Sequence, residues 1–166
     1  MKAMPSNQNL TPHPSVVLPG IRNGLRAVIR RDDKILMLRK SSSAYGERYV
    51  LPGGTQDPGE TIDRALNREC REEIGTGVEI IALLHVADFF KPRDTDPPTY
   101  RHQIEFLLSC RVPESYQATT GSKPDRHQVG VVWLPLDNLA AQPVFPCQLV
   151  EILRSPPSAV YLGRID

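Results

Sequence analysis

The chain is poor in most of the features that mark specialised proteins. Its three cysteines, Cys70, Cys110 and Cys147, show no paired spacing and no CxxC. That argues against a disulfide framework and leaves them as reduced, buried small hydrophobes of a reducing compartment. Four histidines are scattered without a zinc pattern. A formal net charge of +1 gives no bulk attraction to nucleic acid, which is not expected as a partner. No apolar run approaches the ~20 residues needed to span a bilayer, and the N-terminus does not read as a signal peptide. Neither an internal repeat nor a second domain boundary is visible. The expectation is a soluble, cytoplasmic protein with no membrane partner. One domain would cover residues 20–166 behind a flexible N-terminal arm, residues 1–19. An apolar fraction of 40% over 166 residues suffices for a single core.

What the chain does have is concentrated between Gly54 and Thr76, GTQDPGETIDRALNRECREEIGT. Asp57-Pro58-Gly59 is turn chemistry. A helix is predicted from about Thr61-Ile62, closing at Gly75, a natural C-terminal cap. Ile62, Leu66, Glu69 and Glu73 recur at steps of four, three and four, so carboxylates continue the stripe that should face inward. Glu69, Glu72 and Glu73 share one helical face. Two carboxylates about 5 Å apart repel by roughly 3 kcal/mol at an effective dielectric near 20. A half-buried cluster of that kind calls for a cation, and oxygen-only ligands suit Mg²⁺ or Mn²⁺.

The rest of the chain reads as strands, loops and one further helix. Ile21–Arg30 and Lys34–Arg39 form a hairpin across Asp32-Asp33. Tyr49–Leu51 is a short strand delivering the chain to Pro52-Gly53-Gly54, where the backbone can approach a ligand closely. Val78–Phe90 reads as a strand with a bend, followed by a loop from Lys91 to Thr99. Arg101–Val112 alternates, with His102, Ile104, Phe106 and Leu108 on one face and Gln103, Glu105 and Leu107 on the other. A long polar loop, Pro113–His127, precedes a strand at Val129–Leu134. A helix is expected at Phe145–Arg154 and a last strand at Ala159–Leu162. Val16–Leu18 offers an extra edge strand. Strands interleaved with two helices predict an α/β fold, a mixed sheet packed between helices.

Gly54, five residues, Glu60, seven residues, Arg68-Glu69, Cys70, Arg71, Glu72-Glu73, Ile74 and Gly75 together resemble the signature of the Nudix hydrolase family. Thr76 stands where the family prefers an aliphatic residue. The resemblance implies an α/β/α sandwich and a metal-dependent hydrolase of phosphoanhydrides. In it Gly54 supplies a backbone carbonyl to Mg²⁺ or Mn²⁺, and Glu72 and Glu73 are direct ligands. Glu69 is a ligand or orients the attacking water, Glu60 supports, and Arg68 orients the glutamates. Members often recruit another acid just before a strand bearing a Trp, here matched by Trp133. The preceding residues, PDRHQVGVV, contain no Glu. Glu105 and Asp125 are the candidates for that role.

The substrate is the least legible part. Pro92, sixteen residues after Thr76, matches a marker that in the family accompanies ADP-ribose hydrolysis. The favoured substrate is therefore a nucleoside diphosphate linked to another moiety, ADP-ribose first. The alternatives are a nucleoside triphosphate pyrophosphohydrolase, a CDP-alcohol pyrophosphatase and a non-catalytic nucleotide-sensing module. Retention of Glu60, Glu69, Glu72 and Glu73 speaks against the sensing module. Tyr45, Arg48, Phe89, Phe90, Arg93 and Arg101 are candidate base or phosphate contacts. Relatives are commonly dimers, so a homodimer is an expectation of the same resemblance.

Overall fold

The computed structural model describes residues 12–166. Residues 1–11 of the expected arm lie outside the described residues. The remainder of that arm touches the body: Val17 bridges Tyr100 in parallel, and Leu18 N–H donates to Tyr100 O at 2.8 Å.

Eight strands and two helices follow. They are β1 Arg22–Arg31, β2 Lys34–Ser42, β3 Gly46–Val50, β4 Gly53–Thr55, α1 Ile62–Ile74, β5 Glu79–Arg93, β6 Thr99–Arg111, β7 Gln128–Pro135, α2 Leu149–Arg154 and β8 Tyr161–Ile165. The sheet runs β3-β2-β1-β6-β5-β8, with β4 paired to β1 and β7 to β2. β1 with β6 and β5 with β8 are parallel, so the sheet is mixed. Asp32 at the β1–β2 turn takes φ 53°, a left-handed conformation that Asp tolerates because its short side chain bonds locally.

Strand alternation distributes the apolar residues to two faces. Leu25, Ala27, Ile29, Leu36 and Leu38 pack against Ala65, Leu66, Cys70 and Ile74 of α1. Val28, Ile35, Met37 and Leu107 pack against Leu139, Leu149 and Leu153 on the opposite side. Neither face can be left open to water, so a helix covers each and the sandwich follows. α1 ends as its sequence requires, at Gly75 with φ 73°. Among the described residues no helix is long and apolar enough to cross a membrane.

Several boundaries differ from the sequence reading. The second helix begins at Leu149 rather than Phe145. Pro146 disfavours helical backbone at Phe145, whose N–H instead donates to Tyr49 O at 2.9 Å. β5 and β6 run past the expected loop limits, pairing as far as Arg93 with Thr99. Each cross-strand bond satisfies backbone groups that a loop would leave to water. β3 ends at Val50, and β8 extends to Ile165. Cys70 and Cys110 are buried as expected, whereas Cys147 is exposed.

Candidate active site

The sequence segment LPGGT turns β3 into β4 at the point where α1 passes closest. Gly53 holds φ 135°, and a Cβ there would overlap the Leu25 carbonyl. A Cβ on Gly54 would overlap the carboxyl of Glu69. Two glycines are thus what allow backbone and helix carboxylates to meet. The gain is specific: Gly53 N–H donates to Glu73 Oε2 at 2.8 Å. Glu73 is 3% exposed, and that burial pushes its carboxyl up to about 8, against the opposing pull of the Gly53 N–H and the Arg26 and Lys40 charges.

Arg68 organises the other acids. Its Nε and Nη2 donate to both oxygens of Glu60, at 2.7 and 2.9 Å. Nη1 donates to Glu69 Oε1 at 2.8 Å, and Nη2 also reaches Thr55 O at 3.2 Å. Glu72 lies at 4.0 Å from the same guanidinium. A planar five-donor fork can hold two carboxylates and a carbonyl at once, which an ammonium cannot. The Arg68 hydrogen bonds, followed by the Asp57 N–H, hold Glu60 down at about 2. Glu60 itself lies beside the cleft, not on its wall.

The long loop after β6 docks on the end of α1. Gly121 N–H donates to Glu73 O and Lys123 N–H to Glu72 O, both at 3.0 Å, while Gln128 Nε2 donates to Glu73 O at 2.8 Å. These bonds satisfy helix-end carbonyls that would otherwise lack partners. They also carry Lys123, Asp125 and Arg126 to the rim of the cleft.

That cleft has a volume of about 460 Å³. Gly54, Glu69, Glu72 and Glu73 line it, as do both candidate outside acids, Glu105 and Asp125. Glu105 is 2% exposed and takes Arg26 Nε at 2.7 Å and Nη2 at 3.3 Å. Arg26 Nη1 also donates to Gly53 O at 3.3 Å, tying this acid to the glycine turn. Asp125 pairs with Lys40. Burial alone would raise the Asp125 carboxyl, but the Lys40 bond and charge prevail and hold it below its ordinary value. Lys91 also lines the cleft, its ammonium lowered by desolvation and then by the charges of Arg26 and Lys40.

The expected substrate contacts divide. Arg48 and Phe89 line the cleft, whereas Tyr45, Phe90, Arg93 and Arg101 do not. Tyr45 lies under the Arg48 guanidinium at 4.9 Å. Phe90 stacks on His102 at 4.5 Å, Arg93 is exposed near the β5–β6 turn, and Arg101 donates to Pro19 O at 2.6 Å. Strand parity accounts for Phe90, which must point to the face opposite Phe89. Pro92, opposite Tyr100, is also off the cleft wall. Sequence reasoning missed Arg26, Lys91, Phe145, Leu149 and Ile165, which all reach it.

The donor set fits a hard divalent cation. Three carboxylates and a close-approaching glycine backbone offer only oxygen ligands, and the missing Cβ of Gly54 lets the Glu69 carboxyl lie against the glycine backbone. Among the described residues no three acid, His or Cys side chains stand together as a ready cage. Glu69 is engaged by Arg68 and Glu73 by the Gly53 N–H.

A mixed sheet between helices, with glutamates of one helix gathered at a glycine turn, defines an α/β/α sandwich with an acidic, helix-borne site. The model of the NUDIX domain matches residues 21–150, and the chain belongs to the Nudix family. It is 33% identical over 96 residues to the ADP-ribose pyrophosphatase of Methanocaldococcus jannaschii, covering 58% of this chain and 51% of that protein. It is 27% identical over 115 residues to the 8-oxo-dGDP phosphatase NUDT18 of Homo sapiens, covering 69% of this chain and 32% of that protein. Among solved structures, the MutT NUDIX hydrolase from Burkholderia pseudomallei gives a TM-score of 0.58 at 28% identity, over 82% of this chain and 98% of that one. The chain spans about half the length of the first of these curated relatives and about a third of the second.

Proposed function

We propose that the protein hydrolyses a phosphoanhydride in a nucleoside diphosphate linked to a second moiety, with ADP-ribose the leading substrate and Mg²⁺ or Mn²⁺ the cofactor. The observation that carries this is that Glu69, Glu72, Glu73 and Gly54 line one cleft with Lys40, Lys91 and Lys123. Acids for a cation and cations for phosphate oxygens are what an anionic, metal-assisted substrate requires. A divalent cation held by these glutamates and the Gly54 carbonyl would offset phosphate charge and acidify water.

The chain's own groups do the rest. Arg68 fixes the rotamers of Glu60 and Glu69, so the acids are set before substrate arrives. Lys91 and Lys123 bind phosphate oxygens. Glu105, fixed by Arg26 and buried, is the acid outside the helix that orients the attacking water, and Asp125 holds Lys40 at the rim. Likeness to an ADP-ribose pyrophosphatase over half of that protein supports the substrate class. A second reading, cleavage of a non-standard nucleoside di- or triphosphate, is favoured by the likeness to an 8-oxo-dGDP phosphatase.

The test is turnover of ADP-ribose, CDP-choline, 8-oxo-dGDP and nucleoside triphosphates with Mg²⁺ or Mn²⁺, with Glu73→Gln alongside. Cleavage of ADP-ribose to AMP and ribose 5-phosphate, reduced about 10²-fold or more in the variant, is the expected result. No turnover of any compound, with nucleotide binding intact, would replace the enzyme by a nucleotide sensor.

A further inference from the structure

A second cavity, of about 390 Å³, is lined by the start of β1 and by the segment between β4 and α1. Thr55 and Asp57 belong to the walls of both this cavity and the cleft. Arg68 also joins them, bonding Glu60 on the wall of the second and Glu69 on the wall of the first. β1 passes along both. Arg22 lines the second cavity and Arg26 the cleft, and strand parity sets them on one face about 13 Å apart. Gly24, midway between them, has no side chain, and a Cβ there would overlap the Glu105 carboxyl. β1 therefore raises nothing between the two arginines.

The wall of this cavity is fixed by its own hydrogen bonds. Asn23 Nδ2 donates to Gln56 Oε1 and Gln56 N–H donates to Asn23 O, both at 3.0 Å. Gln56 Nε2 donates to Glu60 O at 2.6 Å, and Asp57 N–H to Glu60 Oε2 at 3.0 Å. Two charged groups are left over. Arg22 is exposed, and among the described residues no hydrogen bond or ion pair engages its guanidinium. The Asp57 side chain is 70% exposed and only approaches Arg68, at 3.6 Å. Gln103, opposite Arg22 in the β1–β6 register, is 2% exposed and its Oε1 has no partner. This face of the sheet thus holds both donors and acceptors that the fold does not use.

We infer that the second cavity is the subsite for the substrate's second moiety, and that this moiety is a polyhydroxylated sugar. Arg22 donates to its hydroxyl oxygens, and Asp57 accepts from its hydroxyl groups. The inference rests on the proposed reading that the phosphates lie at the glutamates. A sugar hydroxyl is donor and acceptor at once, which suits an unengaged guanidinium facing an exposed carboxylate. A second nucleobase would find nothing to stack on, since no aromatic side chain lines the cavity. A choline group would likewise lack a ring to face and would meet the Arg22 charge. An acyl chain would cover Arg22, Asn23 and Gln56 without pairing them, which is unfavourable.

The experiment uses Arg22→Met, which keeps the stem and removes the donors, with Arg22→Ala beside it. Calorimetric affinities for ribose 5-phosphate, phosphocholine and inorganic phosphate are measured on the full chain with Mg²⁺, together with ADP-ribose kinetics. Loss of one charged hydrogen bond predicts ribose 5-phosphate binding weaker by about ten-fold in both variants. Phosphocholine and inorganic phosphate, which lack the sugar, keep their affinities, and KM for ADP-ribose rises by more than kcat falls. Three results would overturn the assignment. They are a native chain that does not bind ribose 5-phosphate, an affinity for it untouched by both substitutions, and equal weakening of all three ligands. Binding requires no turnover. A chain that loses ribose 5-phosphate selectively in Arg22→Met yet hydrolyses nothing sinks the hydrolase reading and leaves the sugar subsite standing. Turnover of ADP-ribose with a KM indifferent to both substitutions does the reverse.

Discussion

Glu73 is the carboxylate of α1 whose chemistry the fold shifts upward. Its carboxyl is held up to about 8, chiefly by burial, from an ordinary value of 4.5. Without a cation, the folded chain therefore keeps a proton there that the unfolded chain releases. The sign follows directly: this group's contribution to stability is fully present below 4.5 and is lost as pH rises through about 8. A divalent cation held by Glu73, as proposed, would displace the same proton, so its affinity should climb across that window, by at most about ten-fold per pH unit. Mg²⁺ titrated calorimetrically at about pH 6, 7 and 8 reads this out, and a flat profile would count against Glu73 as a ligand. Glu60 goes the other way. Tied to Arg68 and held at about 2, it stabilises above its ordinary 4.5, and that stabilisation fades as pH falls toward 2. The two acids sit thirteen residues apart in one signature, yet opposite environments give them opposite titration behaviour.

At the scale of elements, the loop between β6 and β7 acts as a support for α1. A Cβ on Gly121 would overlap the carbonyls of Arg71 and Glu72, because the loop backbone lies directly on the helix end. Gly121→Ala should cost about 1–3 kcal/mol, as overpacking generally does, seen as a lower denaturant midpoint. It should also lower turnover, since Lys123, Asp125 and Arg126 reach the cleft on the same loop. Normal turnover with the midpoint lowered would show that the loop stabilises without placing rim residues. The elements themselves differed in how well the sequence announced them. α1 was legible from its periodicity and its glycine stop, because both are local. The facing of β5 was not. Its register shifts between Ile80 and Ala82 and again between Leu83 and His85, and each shift resets which parity faces inward. Phe90 was accordingly as plausible a contact as Phe89 until the pairing was known.

For the whole molecule, the C-terminal strand has a consequence out of proportion to its five residues. β8 pairs in parallel with β5, and Ile165 packs with Ala87 and Phe89 in its own small cluster. Removing residues 160–166 should lower the thermal midpoint, because it exposes Ala87 and Phe89; an unchanged midpoint would show that β8 adds nothing to the core. The sequence by itself determined the acidic helix, the glycine turn before it and the family. Those depend on residues close in the chain, whose spacing is set by helical geometry alone. Only the tertiary structure decided that Arg26 holds Glu105 and that Glu105, Asp125, Phe145, Leu149 and Ile165 all line the cleft. Those contacts join residues up to 79 positions apart, and strand order, register and parity, which no local pattern encodes, bring them together.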